Sequence, residues 1–242
     1  MDAPRGTRHG KRMAPRSGRL RGGRLRSGWV RQLCADANDG IIGTAGVLQG
    51  FSGAGGTSHL LLVASVATMI AGSLAQFGTT YAQESAERDA QLRLIAEEAA
   101  SLDADPAAEI EELTTRFVDR GVPRDLAREV AGDMHEHDPL GAQLDQEYGI
   151  REPMSRTAPY SSGARSALGH ALGSTLPLTV LLLHPAAWET RALFVAVILS
   201  LCVTSVLIAL STGGSVVRAL VRTVGIGVAS MLISYVAGLV VF

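Results

Sequence analysis

Five mostly apolar stretches, about 33–53, 60–82, 165–184, 192–211 and 217–242, alternate with polar sequence along this 242-residue chain. A bilayer-spanning helix needs about 20 such residues, so the pattern predicts five transmembrane helices. Arg165, His170 and Pro177 interrupt the third, but proline is tolerated in a span where neighbours re-satisfy the freed carbonyl. The second span meets no breaker after Ala82 and reads as one long helix that ends near Asp105 and Pro106, because proline disfavours helix in the residue before it. Shorter helices are predicted at about 107–120, closed by Gly121 and Pro123, at about 124–136, and at about 140–148, closed by Gly149; such residues are ordinary helix stops. There is no repeat and no dependable strand-period stretch. The fold class expected is an all-α membrane protein with five transmembrane helices and a cytoplasmic helical insert between the second and third.

Polar positions within the spans fall on faces. At about 100° per residue, Gly40, Gly43, Gly46, Gly50 and Gly53 share one broad face of the first span, and Asp39 lies within it. Small residues mark close helix approach, so Asp39 is expected to point into the bundle. An ionisable residue there is expensive and signals function; the alternative is an N-terminal cap at the water interface. On the second span, Met69, Ser73, Gln76, Thr80, Gln83, Glu84 and Glu87 share a face that continues to Gln91 and Glu98. An oxygen-rich track of this kind suits Mg, Mn or Fe(II) better than copper. Alternatively Glu84, Glu98, Glu109 and Glu112 solvate their helices and form pairs such as Glu112 with Arg116 at i,i+4.

Charge sharpens the division. Of the 23 acidic residues, 19 lie between Glu84 and Glu152, against seven arginines there, while residues 1–31 carry nine arginines and Lys11 against Asp2 alone. The expected organisation is a disordered basic arm over 1–31, spans 1 and 2 over 32–83, an acidic insert over 84–163, and spans 3 to 5 over 164–242. Positive segments stay cytoplasmic, which places the arm, the insert and the turn bearing Arg218 and Arg222 inside. The loops with Glu189 and Arg191, and the C-terminus, then fall outside. The arm has no apolar core of the kind a signal peptide requires. Its charge fits topology and contact with anionic lipid rather than nucleic acid. Cys34 and Cys202 indicate neither a disulfide framework nor a thiolate metal site.

Other chemistry is sparse. His135, His137 and Asp138 in "DMHEHD" match no HExxH pattern, and the two histidines would point about 200° apart on a helix; they read as a surface cluster, then as accessory ligands. There is no nucleotide-binding loop and no nucleophile elbow, so an enzyme is not expected.

The residues "ANDGIIGTAGVLQG" at 37–50 resemble the first-span signature of the vacuolar iron transporter (VIT) family. Further likenesses follow in order: "AG" at 71–72, Tyr81 with "ERD" at 87–89, "DPAAEIEEL" at 105–113, "RGV" at 120–122, "EYGI" at 147–150, Gly173 with Pro177, and the ending "SYVAGLVV". The resemblance spans about 33–242. It implies a homodimer that moves Fe(II) or Mn(II) out of the cytoplasm, in many members by exchange with protons, with cytoplasmic glutamates gathering the metal. The family's first-span aspartate falls on Asp39 and its insert glutamates on Glu98, Glu109, Glu112 and Glu147. Where the family's second span reads methionine, then glycine-glutamate-tyrosine, this chain has Gln76, Thr79, Thr80 and Tyr81; a further insert glutamate falls on Ser101, and a methionine-glutamate pair on Gln143 and Leu144.

The expectation is therefore a bacterial inner-membrane transporter of Mn(II) or Fe(II), with no covalently bound cofactor. Its ligands would be Asp39, Gln76 and Thr80 in the membrane and Glu98, Glu109, Glu112 and Glu147 in the insert. Its partners would be divalent ions, membrane lipids and a second copy of the chain. The rival is a non-transporting, membrane-anchored metal-binding homologue.

Overall fold

The structure is a computed structural model that describes residues 17–183 and 189–241, with side chains over 28–183 and 191–241. Among these residues every regular element is helical: α1 (Ser17–Gly53), α2 (Ser58–Ala104), α3 (Pro106–Asp119), α4 (Arg124–His137), α5 (Pro139–Gln143), one π-helical turn (Leu144–Tyr148), α6 (Ala158–Leu183), α7 (Glu189–Thr212) and α8 (Val216–Val241). The second span does run on as one helix to the residue before Asp105. Helix α1 begins at Ser17, inside the stretch read as a basic arm; residues 1–16 of that arm and residues 184–188 lie outside the described residues. The described chain divides into two compact units, one drawn from Met1–Leu74 with Ser166–Phe242 and the other Ala75–Arg165.

The second unit is the acidic segment. Helix α3 starts where the Asp105 carboxylate accepts the Ala108 amide at 3.1 Å, with Pro106 in the first helical turn. This arrangement satisfies an otherwise orphaned donor. Asp138 repeats the device for α5, accepting from Gly141 at 3.0 Å ahead of Pro139. Two turns need a left-handed backbone and have glycine there, Gly121 at φ 92° after α3 and Gly149 at φ 69° after the π turn. Helices α3 and α4 pack together around Leu113, Ala131 and Ala142, with Ile110, Phe117 and Met134 at the margin. Across this pair Glu111 accepts from Arg124 and, at 2.7 Å, from Arg128.

The first unit holds the apolar helices. Among the described residues four helices are long and apolar enough to cross a membrane: α2, α6, the 191–212 part of α7, and α8. Helix α1 is not among them, because Asp36, Asn38, Asp39 and Gln49 dilute its apolar run. It is nevertheless well clothed by protein. Helices α7 and α8 pack on it and on each other, and Ile41, Ala45 and Leu48 on one stripe of α1 join Val197, Leu201 and Met231 in the core. A helix surrounded by other helices can carry polar groups that a lipid-facing one cannot. The opposite condition holds on α7, where Val195, Leu199 and Val203, four residues apart, are all about 60 % exposed. That row is an apolar surface suited to lipid.

Close approach in this unit depends on glycine. A side chain on Gly173 of α6 would land on the Ala37 carbonyl of α1, and one on Gly40 would meet the His170 carbonyl of α6. On the other side, Gly53 faces the Tyr235 carbonyl and Gly238 the Gly50 carbonyl. Backbone atoms cannot move aside as flexible side chains do, so a methyl there displaces a whole helix. We expect Gly173→Ala and Gly238→Ala each to destabilise the purified protein by about 1–3 kcal/mol. Gly225→Ala, where nothing stands within 4 Å, should leave thermal unfolding in detergent unchanged. Equal stability of all three variants would contradict the packing described.

Candidate metal centre

Four carboxylates named from the sequence meet in the second unit. Glu98 comes from the C-terminal part of α2, Glu109 and Glu112 from one face of α3, and Glu147 from the π-helical turn. An i,i+3 spacing puts Glu109 and Glu112 side by side. The π turn adds a residue to the helical repeat, a distortion often found at functional positions, and Gly149 then closes it, with the Ile150 amide donating to the Leu144 carbonyl at 2.9 Å.

Glu98 is only 6 % exposed, and its Oε1 is buried without a hydrogen-bond partner. Burial, then the negative charges of Glu109, Glu147 and Glu112, push its carboxyl from the usual 4.5 up to about 7. Glu109 is also raised, by burial and by Glu112. A hydrogen bond with Glu109 adds to the rise at Glu98. Tyr148, beside Glu147, is pushed up to about 12 by burial and by that carboxylate, so it stays a neutral donor at the edge of the cluster.

Two further side chains complete the arrangement. Arg116 donates to Glu112 Oε1 at 3.0 Å and also pairs with Glu147. Gln143, 1 % exposed, donates to Glu109 Oε2 at 2.9 Å and to the Glu109 carbonyl at 2.8 Å. No group of three or more His, Cys, Asp or Glu side chains among the described residues is placed to hold a metal ion. The carboxylates feel one another but are spread around Arg116 and Gln143. The Glu112–Arg116 pair is visible in the sequence as an i,i+4 spacing. That the same guanidinium reaches Glu147, 31 residues on, is not.

His135 and His137 take no part in any such cluster. Gln76 and Thr80 are half-buried positions of α2 in the second unit, whereas Asp39 belongs to the first.

In the first unit the polar chemistry differs from expectation. Asp39 is exposed on the single chain rather than turned into its bundle, and Asp36, one turn earlier, is 2 % exposed. The glycine face of α1 explains the difference. Gly40 meets α6 while Gly46, Gly50 and Gly53 meet α8, leaving Asp39 and Gly43 on uncovered helix between them. Asp36 accepts from Ser166 of α6 and from Gln32, both at 2.9 Å. It interacts electrostatically with His170, as does Asp39. His170 is itself buried, with both ring nitrogens lacking a hydrogen-bond partner. Nearby, Thr204 of α7 donates to Asn38 at 2.6 Å. Sequence reasoning passed over Asp36. The signal available was Ser166 and His170, four apart on α6 and both polar within an apolar helix.

The VIT family model matches residues 30–239, nearly all of the described chain. The chain belongs to the VIT family. Two curated relatives place it further. It is 28 % identical to a protein named vacuolar iron transporter from Acanthamoeba castellanii, over 78 % of this chain and 69 % of that protein. It is 34 % identical to vacuolar iron transporter homolog 1 of Oryza sativa subsp. japonica, over 36 % of this chain and 38 % of that protein. The VIT match runs through both units and includes all seven candidate ligands.

The Glu98 environment has a measurable consequence. The folded cluster binds its proton more tightly than the unfolded chain, whose glutamate titrates near 4.5. The penalty for ionising it is absent below that pH and grows as pH rises toward 7, to roughly 3 kcal/mol. We expect the unfolding temperature of the metal-free full chain in detergent to fall between pH 5 and pH 8. Glu98→Gln, which needs no ionisation, should flatten that dependence and raise stability at pH 8. An identical pH profile for the two proteins would contradict the assignment.

Proposed function

We propose that this VIT-family chain is a divalent-cation transporter that moves Fe(II) or Mn(II) out of the cytoplasm. The observation that carries the reading is the gathering of Glu98, Glu109, Glu112 and Glu147 around a buried, unpartnered carboxylate oxygen. Like charges are not packed together to stabilise a fold, and a hard or borderline divalent ion with oxygen ligands relieves the repulsion. Names of relatives from two organisms support iron as a cargo; manganese is added because the same oxygen donors accept it.

In this reading α1 is a fifth span, carried through the membrane by the helices packed on it, and the acidic unit is a cytoplasmic antechamber that concentrates the ion. Asp39 of α1 is an ion ligand within the membrane, and Gln76 and Thr80 of α2 are neutral oxygen ligands. The exposed position of Asp39 on the single chain suits a ligand that faces a passage shared with a second copy. Protons move in exchange, in a bacterial inner membrane with the N-terminus and the insert inside. Neutral amide and hydroxyl ligands lower the charge of the site, and with it the affinity.

Reconstitution tests this directly. Proteoliposomes of the wild type should take up Mn(II) and Fe(II) down an imposed gradient, and Asp39→Asn should reduce the rate at least tenfold while remaining folded and monodisperse. Flux that appears only in a Gln76→Met/Thr80→Glu variant would overturn transport by the natural chain. The metal-binding, non-transporting reading would then stand in its place.

A further inference from the structure

Arg116 lies among the very carboxylates that the ion would use. It bridges two elements, pairing with Glu112 one turn earlier on α3 and with Glu147 on the π-helical turn. Its Nε is buried without a partner, yet 31 % of the side chain is open to solvent. A guanidinium that only braced the fold would be expected to satisfy all its donors in a dry site. This one is incompletely bonded and has a way out. Across α3, Arg124 and Arg128, which pair with Glu111, are about twice as exposed as Arg116 and pair with none of the four clustered glutamates.

We propose that Arg116 is an internal cation that occupies Glu112 and Glu147 until a divalent ion displaces it. The inference rests on reading the glutamate cluster as an ion site and adds a residue that sets its affinity. A single positive charge spread over a planar guanidinium balances two carboxylates only loosely, whereas a divalent ion brings twice the charge in a smaller volume. When the ion enters, the guanidinium swings toward water along its open side, where hydration replaces the lost pairs. Arg116 and Glu112 keep part of their side chains in solvent, and an ion pair open to water is readily exchanged. Arg116 thereby offsets part of the repulsion in the metal-free cluster and raises the ion concentration needed to fill it.

The two roles give opposite signs on one substitution. In the full chain in detergent, Arg116→Met should lower the unfolding temperature without metal, because the carboxylates lose their counter-charge. The same variant should bind Mn(II), measured by the loss of free-ion electron spin resonance signal, at least tenfold more tightly than wild type. Arg116→Lys should remain within about threefold of wild type, and Arg128→Met should not change Mn(II) affinity. A brace would weaken both properties in Arg116→Met and a bystander would change neither; either result overturns the proposal while leaving the ion site in place. Should Arg116→Met not fold, the wild type answers alone. Mn(II) should increase the reactivity of Arg116 toward phenylglyoxal, read by mass spectrometry, and unchanged or reduced reactivity overturns the proposal. If neither the wild type nor any variant binds Mn(II), the cluster is not an ion site and the reading beneath the proposal fails with it.

Discussion

The acidic unit is organised around one electrostatic conflict. Four glutamates from α2, α3 and the π-helical turn are packed close enough that burial and their neighbours hold Glu98 at about 7. The packing and the polar contacts around them contain this repulsion. Leu113, Ala131 and Ala142 supply a small apolar core whose packing fixes the carboxylate-bearing face of α3. Arg116 and Gln143 neutralise or bond three of the four carboxylates, while one oxygen of Glu98 stays buried and unpaired. A fold selected for stability alone would replace such a cluster with neutral or apolar groups. In the function proposed above, the cluster is binding capacity held in a partly discharged state.

The first unit solves a different problem. Helix α1 carries Asp36, Asn38 and Gln49 yet lies among helices, and it can do so because glycines let α6 and α8 approach its backbone. Hydroxyls from the neighbours then meet two of these polar groups, Ser166 on Asp36 and Thr204 on Asn38. Small residues and buried polar groups are thus two halves of one arrangement. The first permits approach, and the second uses it. Outward rows of this unit, such as Val195, Leu199 and Val203, are apolar.

Much of this was legible in the sequence. The continuous α2, the proline and glycine boundaries of α3 and α4, and the meeting of Glu98, Glu109, Glu112 and Glu147 follow from local rules and from the family likeness. What was not legible depends on long-range packing. The apolar run of α1 was read as a span by length, but its polar content is tolerated only because other helices cover it. Asp39 and Asp36 are three residues apart, and which of them is buried is decided by where α6 crosses, information that resides in Gly40, Gly173 and Ser166 together. Arg116 looked like an ordinary i,i+4 partner of Glu112, and only the π-helical turn, which helical periodicity does not predict, brings Glu147 to the same guanidinium.

The central claim is that the four glutamates form a site for a divalent cation. Crystals of the full chain grown with Mn(II), measured at the manganese absorption edge, test it most directly. The account predicts an anomalous peak bounded by carboxylate oxygens of Glu98, Glu109, Glu112 and Glu147. Ordered glutamates with no peak among them, at Mn(II) concentrations that saturate binding in solution, would contradict it.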